Sequence, residues 1–161
     1  MQLVIVGMGN TLLSDDGVGI AVANRLNFQY LNDPSVTVLE TSWGGLRIVD
    51  LISGYDIAII IDASQTGQNP VGTVVEFQLS DLVHSLRMIS FHDVNVATAI
   101  ALAERAGIPM PKKVHIFTVE VAETYLIGES LSPQVNSAIK PCVDKINHLV
   151  ATLSPRVLAG D

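Results

Sequence analysis

The chain is poor in cysteine, in basic charge and in long apolar runs, and each shortage excludes a class of function. Its single cysteine, Cys142 among 161 residues, allows neither an internal disulfide nor a thiolate metal cage. That usage fits a reducing cytoplasm. Nine Lys and Arg against sixteen Asp and Glu give a formal net charge of −7. The sign opposes general affinity for nucleic acid or an anionic membrane, and suits a cationic or metal-bearing partner. Mean hydropathy is positive, +0.42, yet no stretch approaches the roughly 18 uninterrupted apolar residues of a spanning helix. The start, Met1-Gln2-Leu3-Val4-Ile5-Val6, has no basic region and too short an apolar stretch for a signal peptide. A soluble cytoplasmic protein is expected. There is no G-x-x-x-x-G-K-[ST] phosphate loop, no H-E-x-x-H zinc helix and no G-x-S-x-G nucleophile elbow.

What is present is ample core material: 48% of residues are hydrophobic and 16% charged, enough to fold as one domain spanning 1–161. Leu3 to Val6 reads as a strand that ends in a glycine turn, followed by a helix with Val18, Val22 and Leu26 on one face. Val36 to Leu39 is a second strand, and Leu46 to Ile52 a short helix. Asp56 to Asp62 has no polar residue inside its Ile57-Ala58-Ile59-Ile60-Ile61 run, the mark of a central strand buried on both faces. Thr73 to Leu79 alternates, which places it nearer a sheet edge. Asp93 to Ala106 is an alanine-rich helix stopped by Gly107. Val114 to Val121 is a fifth strand. The last helix begins near Ser132-Pro133, where serine is suited to cap and proline to the first turn. Alternating strands and helices predict an α/β fold: a three-layer α/β/α sandwich on a mostly parallel, twisted sheet of about five strands.

In such sheets ligands bind beyond the carboxyl ends of the strands. The polar residues at those ends are Asn10, Asp15, Asp16, Glu40 and Asp62, with His92 before the alanine-rich helix. Two or three carboxylates and one imidazole converging there would suit a borderline divalent ion such as nickel or zinc. Each residue also has a plainer role. Asp15 and Asp16 follow Ser14 at a helix start, where carboxylates cap free amides. Asp62 sits where a turn aspartate is common, and His92 fits a surface position beside a cap at Ser90 or Asp93. His84, His115 and His148 read as ordinary surface or sheet positions, and Cys142 as a packing residue of the last helix. Gly7-Met8-Gly9-Asn10-Thr11-Leu12 begins like a dinucleotide fingerprint but has Leu12 in place of the third glycine. That leaves a small Rossmann-like nucleotide-binding or regulatory module as the alternative reading. Peptidyl-tRNA hydrolase, which also opens on a glycine-asparagine turn, is opposed by the acidity of the chain.

The stretch Val4 to Gly19 resembles the opening motif of the [NiFe]-hydrogenase maturation endopeptidases, G-x-G-N-x-L-x-x-D-[DE]-G-x-G, with every fixed position met. The similarity continues through Ile60-Ile61-Asp62-Ala63, Ser90-Phe91-His92, Gly107-Ile108-Pro109, Thr118-Val119-Glu120 and Gly128 to Val135. This resemblance implies an enzyme that removes a C-terminal extension from a hydrogenase large-subunit precursor after nickel insertion. It implies Asp16, Asp62 and His92 as the metal-contacting and catalytic trio, with nickel delivered by the precursor and no organic cofactor. Polarisation of a carbonyl by that ion would let hydrolysis proceed without serine or cysteine. Many members carry an aspartate and a G-T turn where this chain reads Glu40-Thr41-Ser42-Trp43-Gly44-Gly45, a departure consistent with a different hydrogenase as substrate. Glu40, Trp43, Arg47 and Asn10 are the candidate substrate-binding residues. Trp43 is equally suited to packing beneath its loop.

Overall fold

The computed structural model describes residues 1–79 and 96–153. Within them, five strands form one sheet: β1 (Leu3–Met8), β2 (Val36–Thr41), β3 (Ile57–Ser64), β4 (Val74–Gln78) and β5 (Lys113–Glu120). Their spatial order is β2-β1-β3-β5-β4. All pairings are parallel except β4 with β5, which is antiparallel. The helices are α1 (Val18–Tyr30), α2 (Arg47–Ile52), α3 (Val96–Arg105) and α4 (Pro133–Leu153).

The two-residue period of the strands sorts the core into two layers. Leu3, Ile5, Ile57, Ile59, Ile61, Phe117 and Val119 face α1 and α4, where they meet Val18, Val22, Leu26, Val135, Cys142 and Ile146. Val4, Val6, Ala58, Ile60, Val114 and Ile116 face α2 and α3, against Ile48, Ile52, Ala99 and Ile100. The uninterrupted apolar run of β3 follows from this arrangement, since both of its faces are covered. The sandwich and its mostly parallel sheet are as the alternation of elements predicts.

Two details differ from the sequence reading. β3 runs on to Ser64, so Asp62 lies inside the strand and is only 5% exposed. The extension arises because Asp62, Ala63 and Ser64 remain paired with Thr118, Val119 and Glu120. Also, α1 starts only at Val18, behind a 3-10 turn over Ser14–Gly17. Asp15 and Asp16 therefore precede the helix and form no cap bond to it.

Glycine permits the close approach that holds the first motif together. A Cβ on Gly19 would stand 2.2 Å from the Met8 carbonyl oxygen and 2.4 Å from that of Ile61. One on Gly9, whose φ is +139°, would stand 1.9 Å from the Asp16 carbonyl oxygen. The first of these lets α1 press directly on β1 and β3. The second folds the loop after β1 back over the 3-10 turn, which brings Asp16 beside the end of the sheet.

Candidate active site

On the α2/α3 face, at the carboxyl end of β3 and β5, lies a cleft of about 520 Å³. Its floor is apolar, with Met8, Ile60, Ile116, Val75, Phe77 and Val96. Asp62, Thr118 and Glu120 line it because even-numbered positions of β3 and β5 point to this face. Asp16 reaches it from the 3-10 turn. Among the described residues the lining holds three acids and no Lys, Arg or His, so its local potential favours a cation.

The aspartates are held by backbone amides. Asp16 Oδ2 accepts the Asn10 N–H at 2.8 Å, and Asp62 Oδ1 accepts the Ala63 N–H at 2.8 Å. Both side chains are nearly buried, at 7% and 5% exposure. Asp15, by contrast, turns away: its Oδ1 accepts the Ser132 N–H at 2.6 Å, at the entry to α4. It fastens a second helix rather than capping its own. Among the described residues the Ser132 hydroxyl has no hydrogen-bond partner, so the expected serine cap does not form, and it is the Ser132 N–H that Asp15 holds. Further bonds reinforce the junction: Ser14 Oγ donates to the Ser130 carbonyl at 2.6 Å, and Ser14 N–H to that of Gly128 at 2.7 Å.

The other candidates separate from this cleft. Asn10 contributes its amide to Asp16, and its side-chain oxygen accepts the Leu12 N–H at 3.0 Å in a local turn. Glu40 is exposed on β2, the strand on the far side of β1 from β3; Trp43 is exposed in the loop after β2 and Arg47 at the start of α2, and none of the three lines the cleft. Trp43 is 69% exposed, which rules out packing beneath its loop. His92 and His84 lie outside the described residues. Among the described residues no three His, Cys, Asp or Glu side chains gather to hold a metal ion.

His115 is buried in β5 with its Nδ1 3.2 Å from Glu76 Oε1, and His148 is exposed on α4. Cys142 is fully buried in α4, and desolvation pushes its thiol up to about 12 against the weaker opposing pull of Lys145. It is an inert packing residue. Glu120 is a residue that sequence reasoning passed over. Its one signal in the sequence is its place at the end of a strand, in Thr118-Val119-Glu120.

The glycine loop is not built for a dinucleotide. Its amides are already engaged: Gly9 with the Thr41 carbonyl, Asn10 with the Asp16 carboxylate, and Leu12 and Leu13 with Asn10. A carboxylate at the position where a pyrophosphate would take amide hydrogen bonds repels that group.

Comparison with known proteins gives the family and agrees with the fold. A family model for hydrogenase maturation proteases, HycI, matches residues 20–149. The match begins just beyond the glycine-asparagine motif and spans the later stretches of the resemblance. The chain belongs to the hydrogenase maturation protease family. It is 26% identical over 145 residues to the hydrogenase expression/formation protein HupD of Thiocapsa roseopersicina, covering 89% of this chain and 65% of that one. It is 24% identical over 147 residues to the hydrogenase 2 maturation protease of Escherichia coli strain K12, covering 91% of this chain and 88% of that one. Its fold matches the hydrogenase maturating endopeptidase HybD from E. coli with a TM-score of 0.81 at 24% identity, over 96% and 94% of the two chains. It also matches HybD from Thermococcus kodakarensis with a TM-score of 0.67 at 22% identity, over 92% and 99% of the two chains.

Proposed function

We propose that this protein is an endopeptidase that removes the C-terminal extension of a [NiFe]-hydrogenase large-subunit precursor once nickel is in place. The observation that carries the reading is the convergence of Asp16 and Asp62, 46 positions apart in the numbering, on one cleft at the carboxyl edge of the sheet. Membership of the maturation protease family supports it.

In this reading nickel belongs to the substrate, and Asp16, Asp62 and His92 meet it as the precursor docks. Carboxylate oxygens and an imidazole are a suitable donor set for a borderline divalent ion. The amides of Asn10 and Ala63 fix the two carboxylates before the substrate arrives, so less ordering is needed on binding. The ion polarises the scissile carbonyl. The apolar floor excludes water and holds the chain on either side of the bond, while the carboxylates orient the attacking water and take its proton.

The test is incubation of the purified enzyme with nickel-loaded and nickel-free precursors of candidate large subunits, with mass measurement of the released peptide. Cleavage of the loaded form alone is expected. Equal cleavage of both forms refutes recognition through nickel, and cleavage of neither across the panel refutes the proteolytic reading.

A further inference from the structure

The connection from β3 to β4 forms a polar wall of the cleft through Ser64, Gln65, Thr66, Gln68 and Asn69. Glu120 holds this wall at both ends. Its carboxylate, on a residue only 2% exposed, accepts four hydrogen bonds. Oε1 takes the backbone N–H groups of Thr66 and Gly67, each at 2.8 Å. Oε2 takes the hydroxyls of Thr66 at 2.9 Å and Ser64 at 3.2 Å. The backbone of the same residue secures the far end: its N–H donates to the Thr73 carbonyl at 2.9 Å, and its carbonyl accepts the Gly72 N–H at 2.8 Å. Gln65 then bridges to the segment after β5, donating to the Ala122 carbonyl at 3.0 Å and accepting the Thr124 hydroxyl at 3.4 Å. Thr124 and Tyr125 continue the cleft lining.

We infer that Glu120 is a positioning residue that presets the β3–β4 wall, so that the extended tail of the precursor meets side-chain amides already in place. The inference rests on the proteolytic reading of the cleft. A carboxamide both donates and accepts, and is therefore matched to the N–H and C=O groups of a peptide main chain. Gln68 and Asn69 place two carboxamides along this wall, while that of Gln65 ties the wall to Ala122 and Thr124. A loop of this length left unfastened would have to be ordered by the substrate, which weakens binding without altering the reacting groups. Glu120 reaches neither Asp16 nor Asp62 closely enough to form a three-ligand group with them, so its effect passes through the wall.

The experiment measures kcat and KM of Glu120→Ala and Glu120→Gln on the nickel-loaded precursor, together with amide hydrogen exchange at Thr66 and Gly67. In Glu120→Ala, exchange at both amides should accelerate and KM should rise about tenfold, with kcat within about threefold of wild type. Glu120→Gln should restore KM to within about threefold. Its amide oxygen takes the two N–H groups, and its NH2 donates to hydroxyls that rotate to accept. Should Glu120→Ala fail to fold, Thr66→Val, which removes one hydroxyl donor to Oε2, is expected to show a smaller KM rise of the same kind. Wild-type KM in folded Glu120→Ala, or a fall in kcat at unchanged KM, overturns the inference while leaving the protease reading intact. Equal defects in Gln and Ala overturn it too, because charge rather than placement would then be responsible. A wild-type enzyme that cleaves no precursor removes both readings together.

Discussion

At the scale of single residues, the two motif aspartates are neighbours with different work. Asp16 and Asp15 occupy one 3-10 turn, yet one carboxylate faces the cleft and the other the entry of α4. Asp16→Asn and Asp62→Asn keep an oxygen able to accept the Asn10 and Ala63 amides, so both variants should fold. They remove the charge that meets the cation in the proposed function and should lower kcat by about a hundredfold or more. Cleavage rates of folded protein, with circular dichroism as the control, check this, and wild-type rates would release either residue from the mechanism. Asp15→Asn should act in the opposite sense. A charge-assisted bond to the Ser132 amide is weakened, and stability should fall by about 1–2 kcal/mol in urea titration while kcat stays near wild type. An inactive Asp15→Asn with unchanged stability would reverse the two assignments.

At the scale of elements, the glycine motif is a packing device first. A Cβ on Gly19 of α1 would collide with the carbonyls of Met8 in β1 and Ile61 in β3, so a single added methyl must separate a helix from two strands. Gly19→Ala is expected to cost about 3 kcal/mol or more, seen as a lower urea midpoint. A change under about 0.5 kcal/mol would show that the layers are not in rigid contact there. The elements themselves were legible because periodicity reports burial directly: Val18, Val22 and Leu26 line one helix face, and the β3 run has no polar residue to turn outward. Asp16 and Asp62 were legible for a related reason, since parallel sheets present their ligands at strand ends. What stayed hidden required tertiary partners. Nothing in Ser14-Asp15-Asp16 announces that Asp15 reaches 117 positions along the chain to Ser132. The same holds for Glu120, whose four donors lie 53 to 56 positions away. Trp43 was undecided between two roles because exposure is set by how the loop leaves β2, which local sequence does not encode.

At the scale of the whole molecule, the acidic surface and the sparse donor set act in concert. A net charge of −7 draws cations weakly from a distance. Tight capture, however, needs several donors fixed around one point. The described residues assemble no group of three, and the two cleft aspartates gain only His92 in the proposed trio. Two carboxylate oxygens and one imidazole leave much of a nickel ion's coordination to be completed by others. The isolated protein should therefore bind free Ni²⁺ weakly, with a Kd above about 1 μM, and purify without stoichiometric nickel. Titration calorimetry and elemental analysis measure both. In the proposed function weak affinity is what would make recognition conditional: an enzyme unable to hold the ion alone would engage it only where the precursor supplies the remaining ligands. A Kd well below 1 μM would mean that the enzyme carries its own nickel, and loaded and unloaded precursors would then be indistinguishable by this route.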